Sequence, residues 1–171
     1  IQGRAQYAGD SGIRTLAEVP RDRETRFSAG VGEFDRVLGG GLVAGGVILL
    51  GGDPGIGKST LLLEVVARVA SRHGALYVTG EESLQQVGLR AERLGVGDAG
   101  LKLLAETRVE TIIELAARER PEVLVVDSIQ TIHSDALGSA PGGVAQVREA
   151  AAQLVQFAKQ TGTVLFLVGH V

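Results

Sequence analysis

Short, largely apolar stretches alternate along most of this chain with longer segments whose apolar positions recur every three or four residues. The short stretches predict strands at 47–50, 75–79, 101–104, 123–127 and 164–168. The longer segments predict helices at 58–70, 83–94, 109–119 and 144–159. Strands buried on both faces of a sheet are continuously apolar, and these strands have that pattern. The order of elements therefore predicts an α/β fold, with a mostly parallel central sheet and helices on both faces.

Residues 1–30 differ from the rest because they are polar, dense in charge and without clear periodicity. We expect an N-terminal extension or linker there, and one folded core over 31–171. The core opens with GEFDRVLGGGL, a predicted short helix that ends in glycines. The chain has no Met and stops directly after a predicted buried strand. We therefore expect it to be a piece of a longer protein.

Composition narrows the functional classes. The net charge of −3 excludes a generally basic surface but leaves room for a local basic patch. With 4% aromatic residues and no Trp, the chain does not indicate broad stacking platforms for bases. It has no Cys, which excludes disulfides and thiol chemistry within it and fits a reducing cytoplasm. No apolar run approaches the roughly 20 residues that span a bilayer, so we expect no membrane partner.

The segment GGDPGIGKST matches the phosphate-loop pattern G-x-x-x-x-G-K-[ST], between a predicted strand and a predicted helix. Glycines let the backbone amides curl around a phosphate, and the helix adds its positive N-terminal end. We expect Lys58 to reach the β- and γ-phosphates and the Ser59 hydroxyl to bind Mg²⁺. An incidental glycine-rich turn is the alternative, which the surrounding strand and helix disfavour. The candidate ATP-binding residues are Gly52, Asp53, Pro54, Gly55, Ile56, Gly57, Lys58, Ser59 and Thr60.

Acidic residues follow two other predicted strands. Asp127 ends the strand VLVVD, where alone it is more typical of a helix or turn cap. Functional residues of parallel sheets lie beyond the carboxyl ends of strands, so beside a phosphate loop Asp127 becomes a Mg²⁺ ligand candidate. Glu81 and Glu82 precede Ser83, which opens a predicted capping box with Gln86. Position alone leaves two roles open for these acids: favourable charges at a helix start, or a base for the attacking water.

Five segments carry a family resemblance: GEFDRVLGGGLVAGGVILLGGDPGIGKSTLLL, YVTGEES, VVDSIQT, APGGVAQVRE and FLVGHV, in this order. Together they closely resemble the ATPase core of the bacterial RadA (Sms) family of DNA repair and recombination proteins, within the RecA-like superfamily. The resemblance covers about residues 26–171. It implies a RecA-like P-loop NTPase core that hydrolyses ATP with Mg²⁺.

The resemblance also implies roles at the site. In RecA-like ATPases the catalytic carboxylate follows the strand after the phosphate-loop helix, which implies Glu81 as the base, with Glu82 supporting it. A polar residue after the last strand senses the γ-phosphate in such proteins, and His170 has that position. Lys58 would stabilise the charge that develops on the transferred phosphate.

For DNA, the resemblance implies that the glycine-rich stretch 134–143 is a DNA-facing loop, with Gln146 and Arg148 as contacts. A flexible surface loop is the alternative, because Arg148 is the only cation within 134–148 and DNA affinity depends on several.

The implied function is a DNA-dependent, helicase-like ATPase motor in recombinational repair. It would form a hexameric ring, bind single-stranded DNA, and drive branch migration of recombination intermediates, with the RecA recombinase as a possible partner. Members of the family also carry a four-cysteine zinc module, a Lys-Asn-Arg-Phe-Gly motif and a C-terminal Lon-like domain, none of which this chain contains. Two alternatives remain: a KaiC-like signalling ATPase that does not bind DNA, and an ATP-dependent assembly module with little turnover.

Overall fold

The computed structural model of the protein describes residues 12–19, 26–28, 32–37, 40–51 and 58–169. Its strands are β1 Arg26–Phe27, β2 Leu42–Val43, β3 Val47–Leu50, β4 Ala75–Thr79, β5 Lys102–Ala105, β6 Val123–Asp127 and β7 Val164–Val168. Its α-helices are α1 Gly32–Val37, α2 Lys58–Val69, α3 Leu84–Arg93, α4 Val109–Glu119 and α5 Val144–Thr161. Two short 3₁₀ helices cover Leu16–Glu18 and Ile129–Thr131.

Five strands form the central sheet in the order β3-β7-β6-β4-β5, and every neighbouring pair is parallel. The predicted α/β fold with a parallel sheet is therefore confirmed. A separate pair, β1 and β2, is antiparallel. The predicted strand at 101–104 begins one residue later, because its pairing with β4 starts with Lys102 opposite Leu76.

Helices cover both faces of the sheet, as the continuous apolar strands predict. Tyr77 and Val125 pack on the face that α2 and α3 cover. Val78 and Val126 pack on the opposite face, under α4 and α5. The three inner strands are almost fully buried, whereas the edge strands β3 and β5 are partly exposed, since an edge strand has a neighbour on one side only.

The helix ends follow local chemistry. Ser83 caps α3 as predicted: its Oγ accepts from the Gln86 backbone N–H at 3.1 Å, and the Gln86 side chain accepts from the Ser83 N–H at 2.9 Å. Helix α5 runs to Thr161, two residues beyond its predicted end, and stops at Gly162, whose φ is 75°. None of the helices in the described ranges has both the length and the apolar character that crossing a bilayer requires.

Part of the predicted N-terminal extension touches the core. Strand β1 pairs with β2, and Phe27 packs against the buried cluster under α2 and α3. The Phe27 ring also lies edge-on to His73, with ring centroids 4.9 Å apart, and the His73 Nε2 lies 2.8 Å from the Ser28 carbonyl oxygen. The boundary between extension and core at residue 30 stays a prediction.

Candidate active site

The carboxyl ends of the parallel strands meet at one edge of the sheet. Leu50 of β3 pairs with Val168 of β7, which pairs with Asp127 of β6, which in turn pairs with Thr79 of β4. These four residues form one row across the sheet. The segments that follow them are therefore neighbours in space, and such an edge is where open α/β sheets bind ligands.

Strand β3, which precedes the phosphate-loop segment in the sequence, ends at this edge. Residues 52–57 of the predicted ATP site (Gly52, Asp53, Pro54, Gly55, Ile56 and Gly57) and the predicted sensor His170 lie outside the described residues. Helix α2 begins at Lys58, where the sequence predicts it. Ser59 and Thr60 belong to its first turn and are half-buried. The described part of this segment has the strand and the helix that a phosphate loop requires.

Asp127 ends β6 at the middle of the edge, between β7 and β4. The buried Tyr77 hydroxyl donates a hydrogen bond to its Oδ2 at 2.6 Å. Burial raises the pKa of the Tyr77 hydroxyl, the charge of Asp127 raises it further, and the nearby Arg90 guanidinium opposes the rise. Tyr77 therefore stays neutral and keeps donating. The backbone also joins the two strand ends, since the Gly80 N–H donates to the Asp127 carbonyl at 3.0 Å.

The adjacent acids Glu81 and Glu82 have different surroundings. The Arg90 Nη2 lies 2.7 Å from a carboxylate oxygen of Glu82, whose side chain is 34% exposed. The Glu82 backbone is held as well, because its N–H donates to the Thr79 hydroxyl at 3.0 Å. Glu81 is exposed, and its carboxylate has no hydrogen bond or ion pair with any described residue. The Glu82 carboxylate is thus fixed by an ion pair, whereas the Glu81 carboxylate is accessible from solvent.

Arg90 was not predicted from the sequence. It lies on α3 three residues after the buried Val87, and its side chain is only 16% exposed. Its Nη1 also approaches the Thr60 hydroxyl at 3.4 Å. The sequence does contain a signal for it. A charged residue on the apolar stripe of an amphipathic helix is expected to be partly buried, because that stripe faces the core.

The chain after β6 forms a loop whose first half is firmly attached. The Gln146 side chain accepts from the Ser134 N–H at 2.8 Å and donates to the carbonyl oxygens of Ser134, Leu137 and Ser139 at 3.3, 3.3 and 2.8 Å. The Glu110 carboxylate accepts from the Asp135 N–H at 2.8 Å and from the Ser134 hydroxyl at 3.0 Å. Residues 140–143 are exposed.

These contacts correct the prediction that Gln146 touches DNA. Its side chain is 1% exposed, and its amide is committed to the loop backbone. A polar residue near the start of a helix indicated a surface contact. The amide of Gln146 is buried instead, because it satisfies the hydrogen bonds of the loop backbone at 134–139. Arg148 is exposed on the same helix. Its predicted contact with DNA stays a prediction.

The described residues of the site fit a magnesium ion with phosphate and water as its other ligands. Asp127 is partly exposed. Among the described residues, the Tyr77 hydroxyl binds one oxygen of the Asp127 carboxylate, which leaves the other oxygen for a metal ion. Ser59 provides a hydroxyl oxygen in the first turn of α2. Mg²⁺ prefers such hard oxygen ligands and keeps several waters. No cluster of three or more His, Asp or Glu side chains exists among the described residues, so an all-protein cage is not formed there.

Proteins named DNA repair protein RadA are similar to this chain in sequence. The chain is 60% identical to the DNA repair protein RadA of Pseudomonas aeruginosa over 170 residues, which are 99% of this chain and 38% of that protein. It is 52% identical to the DNA repair protein RadA of Salmonella typhimurium, covering 100% of this chain and 37% of the relative. The resemblance to bacterial RadA is therefore confirmed, although the chain spans less than two fifths of the length of these relatives.

Among solved structures, a KaiC-like protein from the hyperthermophilic archaeon Pyrococcus horikoshii OT3 is similar in fold. The TM-score is 0.64 at 21% identity, and the match covers 87% of this chain and 72% of that one. A family model described as an AAA domain matches residues 17–171, which include the described sheet, the phosphate-loop segment and both acidic strand ends. The chain belongs to this AAA domain family.

Proposed function

We propose that this chain is the ATP-hydrolysing core of a DNA repair protein. One observation carries the proposal: the phosphate-loop helix, Asp127 and the Glu81–Glu82 pair are brought to the same edge of a parallel sheet. Each of the three is ambiguous alone, but together they provide a phosphate site, a metal ligand and a base. The similarity to proteins named DNA repair protein RadA supports the assignment to repair.

In the proposed reaction, Glu81 accepts a proton from a water that attacks the γ-phosphorus of ATP in line with the bond to the β-phosphate. A new phosphorus–oxygen bond forms as that bond breaks, giving ADP and inorganic phosphate. Lys58 stabilises the charge that develops on the phosphate oxygens. Ser59 and Asp127 would hold Mg²⁺, which supplies charge neutralisation at the phosphates when bound. His170 would sense the γ-phosphate.

Glu81 fits the role of base better than Glu82 because its carboxylate is exposed and has no described partner. The Glu82 carboxylate is instead held by the Arg90 guanidinium at 2.7 Å, which limits its approach to a water at the phosphate. Glu82 supports the site by fixing the loop.

For the intact protein we propose a cytoplasmic, helicase-like motor that binds single-stranded DNA and drives branch migration of recombination intermediates. It would work as a homo-oligomer, for which we propose a hexameric ring. The RecA recombinase is a candidate partner. The exposed residues 140–143 and Arg148 are the proposed DNA-facing surface.

Substitution of the two acids and the lysine in the full-length natural protein tests the proposal. Glu81→Gln should lower kcat for ATP hydrolysis by about 10²-fold or more while ATP binding persists, because the amide cannot accept the proton. Glu82→Gln is the matched neighbour and should cause a smaller loss. Lys58→Ala should abolish turnover. Steady-state kinetics with titration of a fluorescent ATP analogue separates these effects.

Three results would contradict the assignments. Hydrolysis retained in Lys58→Ala would refute the phosphate site. A larger loss in Glu82→Gln than in Glu81→Gln would transfer the role of base to Glu82. Negligible turnover in the wild-type protein, with ATP binding intact, would favour an assembly module.

A further inference from the structure

Arg90 joins three parts of the candidate site, although it lies outside every motif of the sequence. Its guanidinium bonds the Glu82 carboxylate at 2.7 Å and approaches the Thr60 hydroxyl at 3.4 Å. Its positive charge also opposes the rise in the pKa of the buried Tyr77 hydroxyl. Thr60 directly follows the proposed metal ligand Ser59, and Tyr77 holds Asp127.

Arg90 is more deeply buried than the arginine of an ordinary surface ion pair. Its side chain is 16% exposed, whereas the pairs Arg68–Glu64 and Arg118–Glu114 on neighbouring helices are largely exposed on the arginine side. Its Nε atom is buried and has no hydrogen-bond partner among the described residues. Burying a guanidinium with one donor unsatisfied is unfavourable. Such a violation is expected where function, rather than stability, determines the arrangement.

We infer that Arg90 is a positioning residue for ATP hydrolysis, which acts through Glu82 to orient the neighbouring Glu81. The inference rests on the proposed function. The guanidinium presents several donors in a fixed plane, so it can hold Glu82 while it contacts Thr60. Because Glu81 and Glu82 are adjacent, a fixed Glu82 limits the directions in which Glu81 can point. Arg90 thereby ties the base loop to the first turn of the phosphate-loop helix.

Loss of Arg90 should affect the rate of the chemical step more than ATP binding. The Glu82 carboxylate would lose its counter-charge beside a second acid, and the loop would lose its link to α2. A small displacement of a catalytic group can lower a rate by about 10²-fold, since the reacting atoms must be aligned. The phosphate-loop residues that bind ATP would still be present.

The test measures kcat and KM for ATP hydrolysis in the full-length natural protein. Arg90→Ala should lower kcat by about 10- to 100-fold with KM changed by less than about 3-fold. Arg90→Lys should recover about 3-fold or more of the lost rate, since one ammonium can pair with Glu82 but cannot reach Thr60 as well. Arg93→Ala is the matched control, because Arg93 is exposed on the same helix. It should behave as wild type.

A double-mutant cycle decides whether Arg90 acts through Glu82. In the Glu82→Gln background, Arg90→Ala should lower kcat by less than about 3-fold further, because the interaction is already weakened. Equal effects of Arg90→Ala in both backgrounds would overturn the inference, as would a wild-type kcat in Arg90→Ala. Thermal unfolding checks that Arg90→Ala is folded. If it is not, Arg90→Gln, which keeps most of the aliphatic stem, replaces it. Absence of turnover in the wild-type protein would instead contradict the proposed function.

Discussion

The hydroxyl of Tyr77 holds the carboxylate of Asp127 from inside the sheet. The phenol is fully buried on β4, and Asp127 lies directly across from Thr79 on the neighbouring strand β6. A hydrogen bond from a neutral donor leaves the carboxylate charged, which a metal ligand requires. Burial and the negative charge of Asp127 both raise the pKa of Tyr77, so the phenol remains a donor at every physiological pH.

Substitution Tyr77→Phe should destabilise the fold and change its pH dependence. At neutral pH the loss of a hydrogen bond to a charged group should lower the free energy of unfolding by about 1.5–3 kcal/mol. The raised pKa means that the folded state holds the phenolic proton more tightly than the unfolded state. The resulting stability is complete below about pH 10 and is lost as the pH rises further. Urea unfolding of both variants at pH 7, 9, 10 and 11 measures this.

The expected result is a difference in unfolding free energy between wild type and Tyr77→Phe that narrows above about pH 10, by up to about 1.4 kcal/mol per pH unit. Tyr7 is the other tyrosine of the chain and is common to both variants, so its titration cancels in the difference. A difference that stays constant from pH 9 to pH 11 would contradict the assigned pKa direction.

Strand β4 and the turn after β6 approach each other at Gly80. A Cβ atom on Gly80 would lie 1.9 Å from the Thr131 Oγ1 and 2.7 Å from the Thr131 Cβ. Thr131 cannot move away easily, because its hydroxyl donates to the Ser128 carbonyl at 2.7 Å. The absence of a side chain at Gly80 therefore lets Glu81 and Glu82 start directly beside the end of β6.

Gly80→Ala should separate these two segments and affect stability and turnover together. Overpacking should lower the free energy of unfolding by about 1–3 kcal/mol, and displacement of the base loop should lower kcat. Gly88→Ala is the control, because a Cβ on that helical glycine meets nothing within 4 Å. It should be neutral or stabilising by up to about 1 kcal/mol. Unchanged stability and kcat in Gly80→Ala would contradict the close packing.

The same elements explain what the sequence could predict. The capping box of Ser83 and the bounds of most strands were predictable because their signals lie within a few neighbouring residues. The bond between Tyr77 and Asp127 joins residues 50 apart, and the one between Arg90 and Thr60 joins residues 30 apart. Such pairs depend on the strand order β3-β7-β6-β4-β5, which local patterns do not determine. Gln146 was misplaced for a related reason, since its partners become neighbours only when the loop folds back.

For the chain as a whole, the proposed contact with DNA would have to come from local charge, because the net charge of the chain is −3. The loop after β6 is fixed at its first half by Gln146 and Glu110, and residues 140–143 remain exposed beside the start of α5. Arg148 is exposed in the second turn of that helix. A held first half, an exposed tip and the exposed Arg148 nearby fit the proposed contact to a phosphate backbone.

Arg148→Ala should therefore weaken the stimulation of ATP hydrolysis by single-stranded DNA in the full-length natural protein. Loss of one phosphate contact should raise the DNA concentration for half-maximal stimulation by about 3- to 10-fold at low salt, and should reduce the slope of log affinity against log salt concentration by about 0.7. ATPase titrations with an unstructured oligonucleotide at several salt concentrations measure both quantities. Each variant is normalised to its own rate without DNA.

Arg118→Ala is the matched control, since it removes the same charge from an exposed arginine in the last turn of α4, which leads toward the opposite edge of the sheet. Its half-maximal DNA concentration and salt slope should equal those of wild type. If the two variants weaken stimulation equally, the effect comes from overall charge and Arg148 makes no specific contact. If DNA does not stimulate even the wild-type protein while ATP turnover is intact, the motor assignment fails. A signalling ATPase that does not bind DNA then becomes the better explanation of the same active-site geometry, because hydrolysis needs only the sheet edge and not the loop.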